Sequence, residues 1–193
     1  MSDADHEGPR ARRDELLLIA LDVLERNGSE FLSVGEIARQ AGIKTPSLYK
    51  QFDGKADIQA RLIDLGNKLA ADNFVEVLSS ADGDITYRER LTIFAGAYRA
   101  FGLAHPQLYR LMLDHEVQRP KVNFGIEKAE SDRFVDVFPN LLVARTFWSW
   151  AHGLMSLELA RRLPEGGPTV DELWAELVDT VVSRSEQVAS QAD

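Results

Sequence analysis

The chain has 193 residues, 45% of them hydrophobic, a formal net charge of −9 and no cysteine. That length is enough to bury a core, as one domain or as a small domain joined to a larger one. Without cysteine there are no disulfides and no thiolate metal ligands, which fits a reducing compartment, and an acidic chain is a poor indiscriminate binder of nucleic acid.

In chain order, residues 1–9 are polar and are expected to form a disordered arm. The start MSDADHEGPRARR lacks the apolar stretch of a secretion signal, so the protein is expected in the cytoplasm. Arg10, Arg12 and Arg13 lead into a helix of about Arg12 to Arg26 with a buried stripe of Leu16, Ile19, Ala20, Val23 and Leu24, closed by Asn27 and Gly28. The arginines are candidates for phosphate or minor-groove contacts, or for a merely solubilising arm. Phe31 and Val34 are expected to cover the underside of a three-helix unit.

Residues 33–55, SVGEIARQAGIKTPSLYKQFDGK, carry the densest set of signals. Ser33 and Glu36 have capping-box spacing, so a helix starts near Val34 and stops near Ala41, with Gly42 as a left-handed exit. Pro46 suits the first turn of a second helix, N-capped by Thr45 and running to about Gln51. Ala38 lets the two helices approach, Leu48 and Phe52 pack inward, and Thr45, Ser47, Tyr49 and Lys50 stay on the outer side. From Ile37 to Phe52 there is no carboxylate, but Arg39, Lys44 and Lys50 are present, a local +3 that suits a polyanion. Residues 61–193 hold 14 Lys and Arg against 20 Asp and Glu, and residues 8–55 hold 8 against 7, so positive charge gathers at one end.

After a turn at Asp53 and Gly54, Ile58, Leu62, Leu65, Leu69, Phe74, Val77 and Leu78 mark a long helix of about Lys55 to Ser80. The next is Tyr87 to Ala104, capped by Thr86 and Glu89, then a short one over PQLYRLMLDH with Leu108, Leu111 and Met112 inward. Residues 116–126 read as a mobile connection, followed by a helix of about Glu127 to Val137. The most apolar helix runs from about Asn140 to Leu163. Arg145, His152, Glu158, Arg161 and Arg162 argue against a membrane span there, so burial against the core and against a partner subunit is expected. Thr169 and Glu172 cap a last helix with a stripe of Val170, Leu173, Trp174, Leu177, Val178, Val181 and Val182. Two such helices suit an intersubunit four-helix bundle.

The run A-G-I-K-T-P-S-L-Y-K-Q-F-D-G-K-A-D-I resembles the helix-turn-helix of the tetracycline-repressor-like (TetR) family, close to A-G-V-S-x-x-x-L-Y-x-H-F-x-x-K-x-x-L. Ala41, Gly42, Ile43, Leu48, Tyr49, Phe52, Lys55 and Ile58 hold matching positions. Lys44 departs where a small hydroxyl residue is common, and Gln51 where histidine is common. W-S-W-A-H-G-L from Trp148, with the stretch from Tyr98 to Met112, resembles the C-terminal domain of the subfamily with a W-x-x-x-H-G motif.

The resemblance implies an all-α homodimeric regulator with an N-terminal helix-turn-helix domain (10–69) joined by a long helix to a sensing and dimerising domain (70–193). Its partners would be a palindromic double-stranded operator, a second copy through the last two helices, and an unidentified small-molecule inducer. Lys44, Thr45, Pro46, Ser47 and Lys50 are the groove-facing candidates, and Ser33, Tyr49 and Lys55 the phosphate anchors. Candidate ligand residues are Tyr98, His105, Tyr109, Met112, Trp148, His152 and Met155, though each also fits plain core. No cofactor, metal or catalytic site is expected. The Asp114-His115-Glu116 run puts neighbours in different directions, and no catalytic motif is present. A helical protein-interaction module is the alternative, one that leaves the Lys44 to Lys50 surface unexplained.

Overall fold

The computed structural model describes residues 4–80, 85–113 and 137–190, and all regular structure among them is helical. In chain order the helices are α1 (Ala4–Asn27), α2 (Val34–Gln40), α3 (Thr45–Tyr49), α4 (Lys55–Ser79), α5 (Tyr87–Ala104), α6 (Pro106–Leu113), α7 (Leu141–Leu159) and α8 (Val170–Ala189). The expected helix of 127–137, the connection 116–126 and the Asp114-His115-Glu116 run lie outside the described residues, save Val137, which is in a turn.

Two compact units emerge. The described part of the first is 4–67 with 105–113. Leu16, Ala20, Val23 and Leu24 of α1 are buried with Leu32, Ile37, Ala38, Leu48, Phe52, Ile58 and Leu62. α1 starts earlier than its apolar periodicity suggests, so residues 4–9 are helical rather than a disordered arm. Asp5 and Glu7 fall in its first turns, where the helix dipole favours acidic residues. Gly28 closes α1 with φ 85° and donates to the Leu24 carbonyl at 2.8 Å. Phe31 does not cover an underside: it is 61% exposed, and Leu32 takes the buried place. α6 joins this unit through Glu25, whose two carboxylate oxygens accept from the amides of Gln107 (3.1 Å) and Leu108 (2.9 Å). These are first-turn donors of α6 that no intrahelical carbonyl reaches. A Cβ on Gly66 of α4 would meet Met112 Sδ at 2.6 Å, so glycine is what lets the two helices approach.

The second unit comprises, among described residues, 68–80, 85–104 and 137–190. Its centre is aromatic: Phe94 lies 4.6 Å from Phe74, 5.8 Å from Phe138 and 5.5 Å from Phe147 between ring centroids. Thr86 and Glu89 form the expected capping box on α5, as do Thr169 and Glu172 on α8. These hydrogen bonds hold both carboxyls below the usual carboxylate range. α7 ends at Leu159, four residues short of the expected Leu163. Arg161 adopts φ 52° and the Arg162 amide reaches back to the Leu157 carbonyl at 2.9 Å, a left-handed stop without glycine. Just before this stop Arg99 of α5 clamps Glu158 of α7 at 2.7 Å and Asp171 of α8 at 2.6 Å, while Trp174 donates to Glu158 at 3.2 Å. The apolar stripe of α8 is spent inside this unit: Trp174, Leu177, Val178, Val181 and Val182 are all buried.

Candidate nucleic-acid interface

α2 begins at Ser33, whose hydroxyl oxygen accepts from the Glu36 amide at 3.1 Å. Only this half of the expected capping box forms. The Glu36 carboxylate turns to Arg39 instead, taking Nε at 2.8 Å and Nη2 at 2.6 Å, and to Gln40 at 3.2 Å. The Arg39 hydrogen bond, then that of Gln40, lowers the Glu36 pKa to about 2. Arg39 is thereby neutralised, and Lys44 and Lys50 carry the positive charge of this surface. The i, i+3 and i, i+4 spacing of Glu36, Arg39 and Gln40 is the signal that finds the pair in the sequence.

Gly42 leaves α2 with φ 65°, and the Ile43 amide bonds the Ala38 carbonyl at 3.0 Å, which turns the chain toward α3. The N-cap of α3 is Lys44, not Thr45, and it offers no side-chain cap; Thr45 and Pro46 open the helix itself. Thr45 is one place too late to cap, which leaves its hydroxyl outward. α3 is five residues long and ends at Tyr49, two short of the expected Gln51. Leu48 and Phe52 are buried, whereas Lys44, Thr45, Pro46, Ser47, Tyr49 (58% exposed) and Lys50 face solvent. A short helix held from beneath by one leucine therefore presents two lysines, two hydroxyls and a phenol on one exposed surface.

The flanking candidates are less free. Ser33 is exposed, and its hydroxyl can still donate while its oxygen caps α2. Lys55 is exposed but donates from Nζ to the Ser29 carbonyl at 2.8 Å, so it reaches a phosphate only by sharing its remaining donors. Arg12 and Arg13 sit on α1 rather than on an arm. Arg12 pairs with Glu15, and Arg13 is half-buried with its Nε enclosed and lacking a hydrogen-bond partner.

Two family models match this chain: residues 16–62 match the model described as bacterial regulatory proteins, tetR family, and residues 91–181 the model described as Tetracyclin repressor-like, C-terminal domain. The chain belongs to the TetR family. It is 27% identical, over 76% of its length and 70% of the relative's, to an uncharacterized HTH-type transcriptional regulator of Mycobacterium tuberculosis, Rv0681. Among solved structures it resembles a protein with unknown function from Rhodococcus sp. RHA1 (TM-score 0.73, 25% identity, 88% and 92% of the two chains). It also resembles a tetR-family transcriptional regulator from Streptomyces coelicolor (TM-score 0.69, 24% identity, 94% and 85%). TetR proteins of this kind are transcriptional regulators that act through DNA, not enzymes.

In this TetR chain the seven candidate ligand residues divide between the two units. His105, Tyr109 and Met112 belong to the first, where Tyr109 is buried and Met112 half-buried against Gly66. Tyr98, Trp148, His152 and Met155 belong to the second. Tyr98 is buried beside Phe74, Phe147 and Trp174, and Met155 is fully buried over Gly102. Trp148 and His152 stack at 5.8 Å, but Trp148 is 43% exposed and lies on the outer side of α7. Partial burial holds the His152 pKa below the ordinary histidine value, so its ring is neutral near pH 7. No helix among the described residues is long and apolar enough to cross a membrane.

Proposed function

We propose that the protein is a homodimeric, ligand-responsive repressor. In this reading each protomer lays α3 in one of two successive major grooves of a palindromic operator, with half-sites about 34 to 36 Å apart. The carrying observation is the outer surface of α3, where Lys44, Thr45, Pro46, Ser47 and Lys50 are exposed together while Leu48 is buried. These five residues are assigned the groove, and Ser33, Tyr49 and Lys55 the phosphates, with Arg12 and Arg13 as secondary contacts.

Residues 10–69 act as the DNA-reading part and 70–193 as the sensing and pairing part, in a cytoplasmic protein. Pairing is supported by the exposed apolar residues of α7, Leu141, Leu142 (62% exposed), Trp148 and Leu157. For sensing, Tyr98 and Met155 are favoured because they face the aromatic interior, where an apolar inducer would be recognised. Inducer binding would favour a state in which the reading helices no longer match the operator spacing. Trp148, His152 and Gly153 supply the W-x-x-x-H-G likeness of this part.

Selection of bound duplexes from a random pool tests this reading. The expected product is an inverted repeat whose affinity falls steeply with salt and which some compounds release. Indifference to every duplex at low ionic strength would leave the protein-interaction alternative in its place.

A further inference from the structure

The second unit leaves two adjacent helical faces open, and they are chemically opposite. On α7 the buried side is Val143, Ala144, Phe147, Ala151, Leu154 and Met155. Its open side exposes Leu142, Arg145, Ser149, Gly153 and Ser156, and no carboxylate, because Glu158 is turned inward to Arg99. A Cβ on Gly153 would meet nothing within 4 Å, so the middle of this face is low and unfilled. Arg145 has no carboxylate partner among the described residues. On α8 the apolar stripe is buried, and the open side carries Glu172, Glu176, Asp179, Ser183 and Glu186. Asp179 is held by Arg88 and Glu172 by Thr169, but the Glu186 carboxylate has no partner.

Two such two-helix layers stack around a two-fold axis in either of two ways. Like helix can lie on like, which sets the acidic face of α8 against its own copy. Alternatively, each α7 can lie on the other subunit's α8, which sets a cationic, small-residue face against an acidic one. Charge selects the second. That arrangement needs the axis to run along the helices, so a residue keeps its level when it crosses to the other subunit. The Trp174–Glu158 hydrogen bond makes α7 and α8 antiparallel with these two residues level. An α7 residue a given number of places before Glu158 is then level with the α8 residue the same number after Trp174. Arg145 lines up with Gln187, next to Glu186, and Ser149 with Ser183, small side chain on small.

We infer that Arg145 of each protomer pairs with Glu186 of the partner subunit, twice per dimer, with α7 seated on the partner's α8. This rests on the homodimer reading and adds its register and its chemistry.

The test is the dimer dissociation constant, by analytical ultracentrifugation of the full chain, for Arg145→Glu, Glu186→Arg and the double variant, with helical content by circular dichroism confirming the fold. Each reversal is expected to weaken the dimer about tenfold or more, and the double variant to return within a few-fold of the parent, as coupled charges do. Losses that add instead of cancelling overturn the pairing while leaving the homodimer intact. A parent chain that is monomeric at every concentration overturns the homodimer reading, and this inference with it.

Discussion

Arg39 donates through Nε and Nη2 to the two oxygens of Glu36, at 2.8 and 2.6 Å, on the surface where a DNA-binding protein would be expected to leave a cation free. Both residues are exposed enough for water to compete, so the pair matters less to stability than to the charge that DNA meets.

Glu36→Gln should release that charge. The expected outcome is tighter binding to arbitrary duplexes, with a log–log salt slope steeper by about 0.9 per freed arginine in each subunit. Titrating binding at several salt concentrations checks this, and an unchanged slope would place Arg39 away from the DNA.

The same pair predicts a pH dependence. The folded-state pKa of Glu36 is lowered from 4.5 to about 2, so its contribution to α2 is complete above 4.5 and is lost as pH falls through about 2. An NMR titration of the Glu36 carboxyl should show the low midpoint, and Arg39→Ala should move it up toward 4.5.

Lys55 and Lys44 should fail differently. Lys55→Ala is expected to weaken binding to all sequences and to reduce the salt slope by about one contact per subunit, whereas Lys44→Ala should change which sequences are preferred. Parallel selections with the two variants separate the effects, and identical profiles would show that the assigned readout is wrong.

Two glycines of α5 make a matched pair. Gly96 has open space around it, so Gly96→Ala should raise stability by about 0.5–1 kcal/mol through helix propensity. At Gly102 a Cβ would meet Met155 Sδ at 2.6 Å and Cγ at 2.9 Å, and Met155 is fully buried. Overpacking of about 1–3 kcal/mol there should outweigh the propensity gain. Thermal unfolding should move the Tm in opposite directions.

Glu25→Ala removes the acceptor of two α6 amides. Faster hydrogen exchange at Gln107 and Leu108 is expected, with a stability loss of about 1 kcal/mol, as for other helix caps. Unchanged exchange would mean that packing of Leu108 alone holds the helix.

What could be read in the chain is what neighbours within one helical turn decide. Ser33 as a cap, Gly28, Gly42 and Gly54 as positive-φ stops, and Leu48 and Phe52 as inward anchors follow from spacings of a few residues. Errors arise where two local partners compete, as when Glu36 chooses Arg39 over the Ser33 amide. They also arise where a conformation has no compositional mark, as at Arg161. Contacts across 59 to 83 residues were out of reach: Arg99 with Glu158, or Glu25 with Leu108, are set by which helices become neighbours. The candidate ligand residues suffered most. A stripe of aromatics and methionines says that a face is buried without saying in which of two units.

α3 spans five residues, takes no side-chain cap and sinks one side chain, Leu48, into the protein. Its fold is therefore indifferent to most of what it displays. Substitutions at Lys44, Thr45, Ser47 and Lys50 touch no packed atom, so new operator preferences are open to evolution or to an engineer at these positions without passing through unfolded intermediates.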